Sequence, residues 1–132
     1  MKLMQTVIQA TALVIYATTA VAQEPPRFYK DTYPEHALKS RLEAERVLMG
    51  NGAKLNAKTR ELIALGVAAQ IPCAYCVHVH NKNARAEGAS EAEVREAVAA
   101  AAHVRHWSTV LNGMAYDFEA FKEEFDKMHA TK

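Results

Sequence analysis

The sequence predicts an all-α protein, a compact helical single domain of about five helices behind a removable leader. Three observations carry this. From residue 35 onward, apolar residues recur at three- and four-residue spacings, and no stretch alternates as a strand does. The boundaries between those stretches hold helix-capping residues. A length of 132 residues favours one domain.

The leader comes first. Lys2 supplies a short positive start, and Val7 to Ala20 is mostly apolar or small. Ala20-Val21-Ala22 then gives the small-x-small pattern that signal peptidase reads. Gln9, Thr11, Thr18 and Thr19 interrupt the apolar run and make it a poor membrane span. Residues 1–22 are therefore expected to be a signal peptide, and the product periplasmic or secreted. Removing 22 of 132 residues leaves 110.

A Pro-rich segment without periodicity follows over residues 23–34, and the helical domain is assigned to 35–132. Its first helix starts at Glu35, places Leu38, Leu42, Val47 and Leu48 near helical spacing, and stops at Gly50. Asn56 is the expected N-cap of the second, which is apolar on most sides from Leu62 to Ala69 and so expected to be buried. Pro72 suits the first turn of the third, and Gly88 suits its end. Ser90 and Glu93 have capping-box spacing for the fourth, which runs to Gly113. In the last, Met114, Phe118, Phe121, Phe125 and Met128 form an apolar stripe.

Charge narrows the functional classes. The chain has 16 basic and 15 acidic residues, and loss of Lys2 with the leader equalises them. A near-neutral chain lacks the basic face that a nucleic-acid binder needs. It also gives no reason to expect a membrane surface as partner after processing.

The chemistry gathers in "CAYCVHVH", residues 73–80, which holds both cysteines of the chain. Three readings are open. Zinc would accept both cysteines with histidines, including a remote pair from His103 and His106, but one helix cannot aim Cys73, Cys76, His78 and His80 at one ion. A structural disulfide across two residues removes little unfolded-chain entropy. A redox pair uses more of the residues. A cysteine at a helix start meets the positive end of the helix dipole, which favours thiolate. Cys76 and His80 are four apart, so they stack on one helix face, where an imidazole can exchange the thiol proton. Glu61 opens an apolar run. It is either a carboxylate suited by burial to proton exchange or a solvated residue near a helix start. Tyr75, His78 and Trp107 read as packing or surface residues.

Residues 58–98, "KTRELIALGVAAQIPCAYCVHVHNKNARAEGASEAEVREAV", resemble the AhpD-like (alkyl hydroperoxidase D type) branch of the carboxymuconolactone decarboxylase family. The resemblance rests on Glu61 twelve residues before Cys73, on C-x-x-C-x-x-x-H, and on the following Gly-Ala-Ser turn. It implies the all-α fold of that branch and a thiol-dependent peroxidase. In that role Cys76 attacks the peroxide, Cys73 resolves, and His80 with Glu61 relays the proton. No cofactor or metal is implied. The implied partners are a small hydroperoxide, a thiol or lipoyl-type electron donor, and further copies of the chain in a homotrimer or homohexamer. Some relatives carry a histidine between the cysteines, where this chain has Tyr75. Cysteine-lacking members act as decarboxylases on a muconolactone, and that chemistry, or a binding module with a structural disulfide, is the alternative.

Overall fold

A computed structural model describes residues 24–130, and the leader expected over 1–22 lies outside them. Six α-helices run in order: α1 (Arg27–Thr32), α2 (Glu35–Met49), α3 (Ala57–Gln70), α4 (Ala74–Ala86), α5 (Glu91–Gly113) and α6 (Phe118–His129). No strand occurs among the described residues. The five helices expected from residue 35 onward are α2 to α6. The sixth, α1, lies inside the Pro-rich segment 23–34, where the sequence shows no apolar periodicity. Pro26 lies at its N-cap, where a missing N–H costs nothing, and an Arg27–Asp31 pair at helical spacing supports its one and a half turns.

Contacts divide the chain into two compact units that meet at Leu38 and Lys39, inside α2. Within the described part of the first, Lys30 pairs with Glu24 at 2.7 Å and Phe28 stacks on Tyr29. The second unit holds the chemistry. There α3 is the central helix, packed along both α4 and α5, while α4 and α5 touch only slightly. The core where they meet consists of Leu65, Ala84, Ala89 and Val94, flanked by Leu62 and Val77.

Local signals set the joints. Gly50 ends α2 because a Cβ there would sit 2.5 Å from the Arg46 carbonyl oxygen. Asn56 caps α3, its side-chain oxygen accepting the Thr59 N–H at 2.8 Å. Arg60 then ties this joint to α2 by donating to the Met49 and Leu55 carbonyls, while its buried Nε has no hydrogen-bond partner. After α4, Gly88 takes the left-handed conformation (φ 84°). Its N–H reaches the Arg85 carbonyl, and that of Ala89 reaches Ala84, which is the Schellman pattern closed over two buried alanines. Ser90 and Glu93 form the expected capping box of α5. The Lys58 ammonium binds the same Glu93 at 2.7 Å and so joins the starts of α3 and α5.

Three sequence expectations need correction. Pro72 is not in the first turn of α4. It precedes the N-cap, because Cys73 is extended and the helix starts at Ala74. Met114 is the C-cap of α5, so the stripe of α6 begins only at Phe118. The burial expected for α3 holds for Leu65, Gly66 and Ala68 but fails for Ile63 and Val67, which stay about half exposed on the face turned from α4. Just past the end of α5, Ala115 takes the left-handed conformation (φ 47°).

Candidate functional site

The site is built where α3 delivers Glu61 to α4. Glu61 lies one turn before Leu65, and that spacing puts both on the buried face of α3. Its carboxylate is therefore inside the protein, with the residue only 8% exposed. A buried carboxylate needs partners, and α4 supplies them. His80 Nδ1 lies 2.7 Å from Glu61 Oε2, and Asn83 Nδ2 donates to Glu61 Oε1 at 3.4 Å. With Glu61 ionised, His80 carries its proton on Nδ1 and donates it to the carboxylate. Nε2 is then the free basic nitrogen. Of the two readings of Glu61 left open by the sequence, the geometry matches the buried carboxylate.

The cysteines stand at the start of the same helix. The Cys73 and Cys76 sulfurs are 2.10 Å apart, at bonding distance, with Cα atoms 5.3 Å apart. Cys73 is the N-cap residue of α4, and its Sγ accepts the Cys76 N–H at 3.2 Å. Its own N–H is held by the Ala68 carbonyl of α3 at 3.1 Å, and its carbonyl accepts the Val77 N–H at 2.9 Å. Both cysteines are partly exposed, so small reagents can reach them.

Of the four residues singled out from sequence, the structure joins Glu61 to His80 and Cys73 to Cys76. No hydrogen bond links His80 to either sulfur in this disulfide form; Cys76 and His80 are related by one helical turn. Asn83 was missed by the sequence reading. Its signal was its place three residues after His80, on the same helix face. Tyr75 projects into solvent, 87% exposed. His78 is exposed. His103 and His106 sit edge-on to Trp107, all three on α5, and no group of three or more potential metal ligands converges among the described residues.

Comparison with known proteins places this geometry. The profile of the carboxymuconolactone decarboxylase family matches residues 36–117, well over half of the chain. The chain belongs to the carboxymuconolactone decarboxylase family. Within that family it is AhpD-like, because its fold matches a crystal structure of the alkylhydroperoxidase AhpD core from Rhodospirillum rubrum. That match has a TM-score of 0.60 at 31% identity and covers 65% of this chain and 64% of the other. A second relative is the uncharacterized protein 4 in the cox locus of Paracoccus denitrificans, 39% identical over 64 residues. Those residues are 48% of this chain and 57% of that protein, so each comparison spans under two thirds of the protein it matches. Members of the carboxymuconolactone decarboxylase family are generally enzymes, and the matched span contains Glu61, both cysteines, His80 and Asn83.

Proposed function

We propose that the protein is an exported thiol-dependent peroxidase that reduces alkyl hydroperoxides through Cys73 and Cys76. The observation that carries this reading is the contact of the buried Glu61 of α3 with His80 of α4, the helix that starts at the disulfide. A structural disulfide has no use for a buried carboxylate that fixes a histidine tautomer one turn from a cysteine. In the reduced protein, His80 Nε2 takes the Cys76 proton. The Cys76 thiolate attacks one oxygen of the hydroperoxide, and the O–O bond breaks. The alcohol leaves with the proton returned by His80, and Cys76 becomes a sulfenic acid. The Cys73 sulfur then attacks Cys76, the S–S bond forms, and water leaves. Two electrons from an external thiol or lipoyl-type donor restore the dithiol.

The test is turnover of cumene hydroperoxide with dihydrolipoamide as donor. Wild type should consume the peroxide, and Cys76→Ser should abolish turnover. Full turnover by Cys76→Ser would remove the peroxidatic assignment. If the reduced protein ignores peroxide while reduction lowers its melting temperature, the disulfide is structural and the chain is a binding module.

Two further proposals accompany this one. The leader is removed after Ala22, and intact-mass analysis of protein from its native envelope should give an N-terminus at or near Gln23. The working form is a homo-oligomer, a trimer or hexamer. Two observations support it. An open groove of ≈ 500 Å³ between α3 and α5 is walled by Ile63, Val67, Ala97, Ala101 and Val104. The stripe of α6 leaves Phe118, Phe125 and Met128 exposed. Exposed apolar surface of this extent marks an interaction site, and a second copy of a small helical chain would add to the modest core it can bury alone. A monomer mass by light scattering at micromolar concentration would remove this proposal.

A further inference from the structure

The two sulfurs of the disulfide have different surroundings, and the difference bears on how the bond is opened. Cys73 Sγ lies at the N-terminus of the 13-residue helix α4 and accepts the N–H of Cys76. Both the dipole and the donated hydrogen bond stabilise negative charge on that sulfur. The backbone of Cys73 is anchored on both sides, to Ala68 in α3 and to Val77 in α4. Cys76 Sγ accepts no hydrogen bond among the described residues. Its side chain starts inside the first turn, on the face that continues to His80.

We propose that an incoming donor thiolate attacks Cys76, and that Cys73 is the leaving group. The proposal rests on the redox reading above and adds a direction to it. In thiol–disulfide exchange the sulfur that better bears negative charge departs faster. The donor sulfur forms a bond to Cys76 Sγ, the Cys73–Cys76 bond breaks, and its electron pair remains on Cys73, which becomes a thiolate held by the Cys76 N–H. A second donor thiol, on the same molecule for a dithiol, then attacks the donor sulfur of the mixed disulfide. It releases Cys76 as a thiolate one turn from His80, and the donor leaves as a disulfide. Two electrons have entered, and each sulfur has returned to its reduced state.

This order also divides the work between the two cysteines. Cys76 carries the mixed disulfide with the donor and later meets the peroxide, so both external reactants use one sulfur. Cys73 meets only Cys76.

The experiment uses the oxidised wild-type protein and needs no peroxide. Excess reduced glutathione is added, the reaction is quenched at short times with N-ethylmaleimide, and the peptide holding both cysteines is sequenced by tandem mass spectrometry. Glutathione should be found on Cys76 and maleimide on Cys73, over the reverse pattern by about fivefold, a ratio set by the strength of a charge at a helix terminus. Equal labelling, or glutathione mainly on Cys73, overturns the direction but leaves the redox pair in place. If excess dithiothreitol does not open the bond in the folded protein, the redox reading itself fails, and the direction falls with it.

Discussion

Replacement of Glu61 by glutamine tests whether Glu61 and His80 act as one unit. Glutamine keeps the size of the side chain and still offers His80 Nδ1 an acceptor, but it removes the charge. A hydrogen bond to a charged group contributes about 1.5–3 kcal/mol, roughly twice a neutral one. The side chains of Glu61 and His80 are 11% and 26% exposed, so solvent screens their 2.7 Å contact only in part. The substitution should therefore forfeit about 1–1.5 kcal/mol of support for the protonated imidazole, a five- to tenfold slower supply of Cys76 thiolate. His80→Gln should cost at least as much. The assay is the rate of iodoacetamide alkylation of Cys76 at pH 7 in a Cys73→Ser background, where serine still caps α4. Because either loss disables the same path, the double variant should be within about threefold of the poorer single variant. If the two losses multiply, toward about 25- to 100-fold on the same estimate, the groups act independently and the relay is refuted. If neither changes the rate, Glu61 and His80 have only a structural role.

Other predictions concern the scaffold. Leu65 is 1% exposed and is the largest fully buried side chain among the described residues, so Leu65→Ala should cost about 3–5 kcal/mol in chemical denaturation. Ala115→Gly should stabilise the protein by about 0.5–1 kcal/mol, because glycine relieves the left-handed strain at φ 47°. The Glu93 carboxyl is pushed down to about 2, from an ordinary 4.5, by the Lys58 ammonium first and then by Ser90. The unfolded chain therefore binds the proton more readily between those values. The stability it contributes is fully present above about 4.5 and falls away as the pH drops toward about 2. Glu93→Gln should flatten that part of a melting-temperature profile, and an unchanged profile would show that the Lys58 contact does not form in solution.

What the sequence made legible was whatever depends on near neighbours. The caps Asn56 and Ser90 and the stop at Gly88 satisfy backbone groups within three or four residues, so short motifs reveal them. The start of α4 was misplaced by two residues for a related reason. Proline at 72 tolerates a first turn, but the cysteine side chain competes as a cap, and its preference is weak on paper. The short α1 carries no apolar period to detect. The face of α3 that turns outward was hidden too, since a helix apolar on most sides does not say which side has a neighbour. Likewise, the spacing of Cys76 and His80 showed one helix face, but the partner of His80 comes from α3, and only tertiary packing could choose between the two readings of Glu61.

All the side chains gathered at the candidate site fall within residues 61–83, on two consecutive helices joined by a three-residue turn. Contacts this close along the chain cost little loop entropy and form on the fast side of folding. The site can thus assemble from a helical hairpin before the remaining helices have found their places. With two cysteines in the whole chain, oxidation during that assembly has no wrong intramolecular partner to choose. Oxidation of such a hairpin needs no isomerase to correct the pairing.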